Sequence, residues 1–295
     1  MDKKWGLKSS VLILCVNYKN DAETCTFVRA VTSLPCRPAN VMVISNSPQE
    51  EIEGGLVSLT SVDGVQVVFP GKNLGYFGAA VYGLSGYLEA NQLPDWVVVC
   101  NTDIEFPEPA FFCELVELHA QHPPAVIGPD IMLISRNGLP SSRAHQNPHF
   151  SERPPSGKMR ILAAISSNYF TYTAYEFFSS LRYTVNNALA KVRRRGVEKV
   201  AADRAREIYA PFGAFIIFHR QYFESGGHLH YGSFLFGEEL FVAESARRMG
   251  MTILYDPRLK LYHREHGVLL NVPSRQIAHY AAQSTRYLVH TYFSD

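Results

Sequence analysis

Asn101-Thr102-Asp103 stands directly behind the apolar run Trp96-Val97-Val98-Val99-Cys100. A carboxylate at the end of a buried strand can hold a hard divalent cation. Parallel strands open their carboxyl ends onto the ligand crevice, and Mg²⁺ or Mn²⁺ takes oxygen ligands shared with substrate phosphates. Read alone, Asp103 is a turn residue or a helix cap, and three further groups add weight to the sharper reading. Glu238-Glu239 follows the aromatic run Phe234-Leu235-Phe236 and opens a helix. Such a pair can simply complement the helix dipole, or one member can serve as a general base tuned by burial. His263, in Leu261-Tyr262-His263-Arg264, can offer a metal a neutral nitrogen, although a lone histidine is commonly structural. Gly71-Lys72-Asn73-Leu74-Gly75-Tyr76-Phe77-Gly78 is a glycine-bearing turn opening a helix, where Asn73 and Gly75 can border a phosphate. It lacks the dinucleotide fingerprint, and no simple strand–turn–helix start is expected around it.

The elements that must position these groups read as an alternation of strands and helices. Val11 to Val16 is a buried strand ending at Asn17, followed by a helix from about Asp21 to Ser33. Val41 to Ile44 is a second strand, ending at Ser45-Asn46-Ser47, and Val65 to Phe69 a third. A helix over Phe77 to Ala90 leads to the fourth strand, Trp96 to Cys100. Asn17, Ser45 and Asn46 therefore share a strand-end edge suited to a nucleoside. This rhythm predicts an open, mostly parallel α/β sheet flanked by helices. From about Arg136 the chain is polar and Pro-rich and reads as an irregular loop. Phe178, Leu181, Val185, Leu189 and Val192 then recur at helical spacing, and Arg182 to Arg206 holds eight Lys/Arg. That basic segment is either a solvated helix or an amphipathic element facing anionic lipid. Further on, Phe215 to Phe218 reads as a strand, Phe241 to Met249 as a helix, and Thr252 to Tyr255 as a strand stopped by Asp256-Pro257.

The chain has 295 residues, 46% hydrophobic and 19% charged, with a net charge of +1. Nothing in that balance suggests a nucleic-acid partner. The five cysteines lack CxxC spacing; Cys15 and Cys100 lie in apolar runs and read as buried thiols, which points to a reducing, cytoplasmic compartment. The N-terminus carries no signal-like region, and no window is long and apolar enough to span a membrane.

Taken together, order and spacing resemble the inverting glycosyltransferases of family two, with the GT-A fold, especially bacterial rhamnosyl- and related O-antigen or polysaccharide transferases. The resemblance rests on Val16-Asn17-Tyr18, Ser45-Asn46-Ser47, Asn73-Leu74-Gly75-Tyr76-Phe77-Gly78, Asn101-Thr102-Asp103, Pro211 to Phe215, Gly226-Gly227, Glu238-Glu239 and His263. Ser45 stands where the family usually carries Asp, and Glu239 where Asp is commoner. The resemblance implies one GT-A domain: a nucleotide-sugar-binding half over 1–135, a variable loop and basic helical segment over 136–207, an acceptor and catalytic half over 208–268, and a helical tail over 269–295. It implies a nucleotide-diphosphate sugar donor held by Asn17, Ser45, Asn46, Asn73, Gly75, Asn101, Thr102 and Asp103. Mg²⁺ or Mn²⁺ would sit on Asp103 and His263, and Glu239 or Glu238 would be the base. The implied acceptor is a glycan on a polyprenyl diphosphate carrier, met by peripheral contact at the inner membrane face, for cell-surface polysaccharide such as lipopolysaccharide. A non-catalytic nucleotide-sugar-binding or scaffold protein is the competing expectation; the presence of Asp103, Glu239 and His263 together disfavours it.

Overall fold

A computed structural model describes residues 10–48, 54–134, 140–178, 204–264 and 274–294. The chain begins with β1 (Val11–Asn17), α1 (Asp21–Thr32), β2 (Asn40–Ser45), α2 (Gly54–Ser58), β3 (Val65–Val68), α3 (Tyr76–Leu88) and β4 (Trp96–Cys100). It continues through β5 (Ile104–Glu105), α4 (Phe111–Leu118), β6 (Val126–Ile134), β7 (Pro140–His145), α5 (Ser156–Ser166) and a helix α6 at 169–178. After β8 (Arg206–Ile208) come β9 (Phe215–His219), α7 (Arg220–Glu224), α8 (Glu238–Arg248), β10 (Ile253–Arg264) and α9 (Ser274–Tyr292).

One sheet runs through both halves in the order β3-β2-β1-β4-β9-β6-β10-β5, with β7 added on β6 and β8 on β10. β3, β2, β1 and β4 are mutually parallel, and β10 is parallel to β6. Continuous apolar strands suit this arrangement because helices cover both faces. Leu12 and Leu14 of β1 point into a layer with α3, α8 and α9, while Val11, Ile13 and Cys15 face α1, α2 and α4. β9 is inserted antiparallel between β4 and β6, with Phe215 opposite Cys100. Its leading residues, Pro211 to Ala214, therefore lie at the carboxyl end of β4, where Asn101 N–H donates to the Ala214 carbonyl at 2.9 Å.

Four expectations change. The last strand does not stop at Asp256-Pro257: β10 shifts register between Asp256 and Lys260 and continues to Arg264 beside β6. Pro257 is absorbed by that irregularity, and the buried Asp256 carboxylate accepts from Arg258 N at 3.1 Å and Nε at 2.8 Å, with His119 Nε2 3.2 Å away. Burial alone would raise this carboxyl, but the nearby His119 imidazole and the bonds from Arg258 outweigh it and hold Asp256 well below the ordinary range. Second, part of the expected loop is ordered: Pro140–His145 pairs with β6, and proline is tolerated as the first residue of such a strand. Third, residues 65–88 do form a strand–turn–helix unit. Fourth, Cys36 and Cys113 form a disulfide joining the turn after α1 to α4, leaving Cys15, Cys25 and Cys100 as buried thiols. The helix expected after Phe178 and most of its basic patch lie outside the described residues; Phe178 itself is exposed. No helix among the described residues is long and apolar enough to cross a membrane.

Candidate functional site

Asp103 lies in the turn between β4 and β5, and β5 brings it to His263. Ile104 of β5 pairs with His263 of β10, and Arg264 N–H donates to the Asp103 carbonyl at 2.9 Å. His263 Nε2 is then 3.1 Å from Asp103 Oδ2, both side chains being 12% exposed. Asp103 Oδ1 is buried with no hydrogen-bond partner. His263 Nδ1 sits 2.8 Å from the Gln146 amide oxygen, an arrangement that suits Nδ1–H as the donor and directs the Nε2 lone pair toward Asp103 Oδ2. An orphaned carboxylate oxygen beside an imidazole nitrogen fits a divalent cation. No cluster of three or more His, Cys, Asp or Glu forms a metal site among the described residues. Two protein donors leave most positions of Mg²⁺ or Mn²⁺ to water and phosphate oxygens.

The acidic pair is held at the other end. Phe236 and Gly237 adopt positive φ, 70° and 79°, and turn the chain into α8. The Phe236 carbonyl accepts from Tyr231 Oη at 2.8 Å and Ser284 Oγ at 2.6 Å, so α9 fixes the entry to α8. A Cβ on Gly237 would meet Ser284 Oγ at 2.6 Å, which leaves glycine as the residue that fits. Glu238 is buried, its Oε1 unpartnered, and desolvation together with the neighbouring Glu239 charge pushes its carboxyl up to about 8. Glu239 is 18% exposed, with Oε1 3.5 Å from His149 Nε2. Its other oxygen faces Gly213, where a Cβ would lie 3.6 Å away. Tyr76, first residue of α3, donates to the Gly213 carbonyl at 2.9 Å. Burial, with Cys100, Glu238, Cys15 and Asp103 nearby, raises its phenol well above the usual value, so it remains a proton donor.

The strand-end asparagines are engaged within the protein. Asn17 Nδ2 donates to Asp21 Oδ1 at 2.6 Å and to Ser45 Oγ at 3.2 Å, and Thr24 Oγ1 donates to Asn17 Oδ1 at 2.9 Å. Asn46 clamps the glycine turn: it donates to the Gly75 carbonyl at 2.9 Å and accepts from Leu74 N at 3.2 Å. Asn73 accepts from Gly75 N at 3.0 Å. The turn thus holds the N-terminus of α3, where backbone N–H groups favour an anion.

No family model matches the sequence, and no curated protein sequence matches it. Among solved structures, GalNAc-T7 with UDP, GalNAc and Mn²⁺ matches with a TM-score of 0.56 at 14% identity, over 90% of this chain and 45% of that one. The fold is GT-A. This chain spans less than half the length of that protein, and at 14% identity the likeness is one of fold. A mannosyltransferase from Pyrobaculum calidifontis, solved with GDP-Man and Mn²⁺, matches at TM-score 0.46 and 10% identity, over 97% of this chain and 71% of that one.

On this GT-A frame the residues singled out from sequence fall into three groups: Asn101, Thr102, Asp103 and His263 around the β4 end, Glu238 and Glu239 at the start of α8, and Asn17, Ser45, Asn46, Asn73 and Gly75 around the glycine turn. Tyr76 and Gly213 lie between the first two. Sequence reasoning missed Gln146 and His149, both in the segment after β7 that reads as a polar, Pro-rich loop. The pattern Gln-Asn-Pro-His carries no periodicity, and only pairing of its neighbours with β6 and Ala210 brings it to the site.

Proposed function

We propose that this protein is an inverting glycosyltransferase that moves a hexose, such as rhamnose, from a nucleotide-diphosphate donor to a glycan acceptor. The observation that carries the reading is the Asp103–His263 pair, with its unpartnered carboxylate oxygen, and Glu239 of α8 set against Gly213, whose neighbours Phe212 and Ala214 reach the His263 ring and Asn101. The donor diphosphate lies against the N-terminus of α3 and the β4 end, bounded by Asn73, Gly75 and Asn101. Asp103 and His263 would hold Mg²⁺ or Mn²⁺, and the cation would supply charge neutralisation for the leaving nucleoside diphosphate. Glu239 takes the proton of the acceptor hydroxyl as that oxygen bonds to the anomeric carbon, from the face opposite the breaking bond to the diphosphate. Glu238, kept neutral by burial, supports the pair without adding a second charge. Tyr76 fixes the Gly213 carbonyl beside the base.

The acceptor in this reading is a glycan on a polyprenyl diphosphate carrier at the inner face of a membrane. Support comes from α6, where Phe170, Phe177 and Phe178 are 75%, 65% and 64% exposed, and from the sequence that follows it, 179–203, with six Lys/Arg against two acidic residues. Exposed aromatics beside a basic stretch suit an anionic lipid surface.

The test is turnover of UDP-, GDP- and dTDP-sugars, with and without acceptor and Mn²⁺. Mn²⁺-dependent turnover is expected, abolished in Asp103→Ala. Glu239→Gln should lower transfer about 10²–10⁴-fold while donor still raises the Tm. Donor binding by the native chain without turnover of any donor would favour the non-catalytic reading, and near-normal transfer by Glu239→Gln would remove the base assignment.

A further inference from the structure

We propose that His149 is the positioning partner of Glu239 and the group that carries its proton to solvent after each transfer; this rests on the glycosyltransferase reading above. A base at the first turn of α8 must be reset after every cycle, and two neighbouring side chains bear on how. Glu238, beside it, is buried and already holds a proton at neutral pH, so it cannot receive another. Glu239 Oε2 faces Gly213, where a Cβ would stand 3.6 Å away, and in this role it is the oxygen that meets the acceptor hydroxyl. Glu239 Oε1 instead faces His149 Nε2 at 3.5 Å, a separation that a small rotation of either side chain closes, as is usual for catalytic pairs without substrate. The carboxylate thus has a substrate oxygen and a relay oxygen.

His149 is held for this task by its neighbours. Phe150 N–H donates to the Ala210 carbonyl at 3.1 Å and Ala210 N–H returns the bond at 3.0 Å, locking the histidine segment to the strand that leads into Gly213. Asn147 adds a bond from Phe212 N at 2.6 Å and donates to the Pro129 carbonyl at 2.7 Å. The His149 ring packs edge-on to Phe150 and Phe212, centroids 4.5 and 5.5 Å away. Phe212 in turn lies 6.0 Å from the His263 ring, so an apolar ring separates the base end from the metal end. The His149 side chain is 34% exposed, so its ring is partly open to water. The proton balance is closed: the acceptor O–H proton passes to Glu239 as the new C–O bond forms and the C–O bond to the diphosphate breaks. It then moves to His149 Nε2 and out to water, leaving Glu239 ionised for the next acceptor.

Steady-state transfer by His149→Ala and His149→Gln, with added imidazole, tests this. His149→Ala should lower kcat about 10–100-fold while the donor KM and the Mn²⁺-dependent Tm shift stay at native values, and imidazole should restore part of the loss. His149→Gln fills the space and can bond to Glu239 but cannot carry a proton, so it should be as slow as His149→Ala; imidazole should do nothing for Glu239→Gln. Native kcat in either variant, or a loss that imidazole leaves unchanged with donor binding intact, would overturn the role of His149. Absence of transfer by the native chain would instead count against the parent reading.

Discussion

Glu238 and Glu239 are adjacent in sequence and one step apart on the first turn of α8, yet the fold gives them opposite surroundings. The first is walled in, with an unpartnered oxygen, and the second opens toward Gly213 and His149. A buried carboxyl raised from 4.5 to about 8 binds its proton more tightly folded than unfolded. Stability from this group is therefore complete below about pH 4.5 and is lost as pH rises toward 8. Glu238→Gln keeps the shape and removes the titration. Its Tm relative to the native chain should rise by several degrees between pH 5 and pH 8.5, followed by thermal denaturation in matched buffers; a difference that does not change with pH would show that Glu238 is not held neutral. At this scale Asp103, Glu238, Glu239 and His263 stood out in the sequence because each follows a clear apolar or aromatic run, although acidic residues are common at strand ends and helix starts. Gln146 and His149 were not, because a polar residue in a Pro-rich stretch looks the same whether it faces a site or solvent.

Elements decide which of these side chains meet. The two-residue β5 is too short to announce itself in sequence, yet its antiparallel pairing with β10 sets Asp103 against His263. β10 in turn reaches that place because its ladder on β6 survives Pro257 through a register shift, with Asp256 bonded to Arg258 rather than ending the strand. The glycine turn acts likewise through close approach: a Cβ on Gly75 would stand 2.0 Å from the Phe234 carbonyl, at φ +76°. Gly75→Ala should therefore displace the turn from the 234–237 segment, cost more than about 2 kcal/mol in denaturant unfolding, and weaken donor binding. Gly71→Ala is the control. It shares the positive φ but has open space around it, so about 1 kcal/mol of left-handed strain is the whole expected cost. Equal losses at the two positions would refute the contact between turn and loop. Long buried strands and the helices between them were legible, since apolar runs of that length have few alternatives; β5 and the continuation of β10 depend on a partner strand far along the chain.

At the scale of the whole molecule, α9 closes the structure over the sheet and over α8. Arg153 Nε donates to the buried Glu244 at 2.6 Å and its Nη2 to the Tyr292 carbonyl at 2.8 Å, tying the segment before α5, α8 and the end of α9 together. Burial raises the Glu244 carboxyl, but bonds from Arg153, Arg247 and Tyr209 prevail and hold it low. Against that closed face, α6 is open, with aromatic side chains in water that a stable monomer would normally cover. The proposed lipid contact predicts that the protein co-sediments with vesicles containing anionic lipid and less with neutral ones. Replacing Phe170, Phe177 and Phe178 together by Ser should weaken that binding at least about tenfold without changing donor turnover in solution. Equal binding to neutral vesicles, or no loss in the triple variant, would remove the contact; a native dimer that the variant turns into a monomer would assign α6 to a second copy instead.

Sequence alone determined the kinds of chemistry on offer: carboxylates at a strand end and a helix start, a histidine downstream, and glycines where a backbone must come close. It did so because apolar periodicity and residue type are local properties. Tertiary structure alone decided the rest: which glutamate is shut away and which is open, that Asn46 holds the glycine turn, and that Gln146 and His149 join the site. Those outcomes depend on burial and on partners supplied by distant strands, and no stretch of sequence contains its own surroundings.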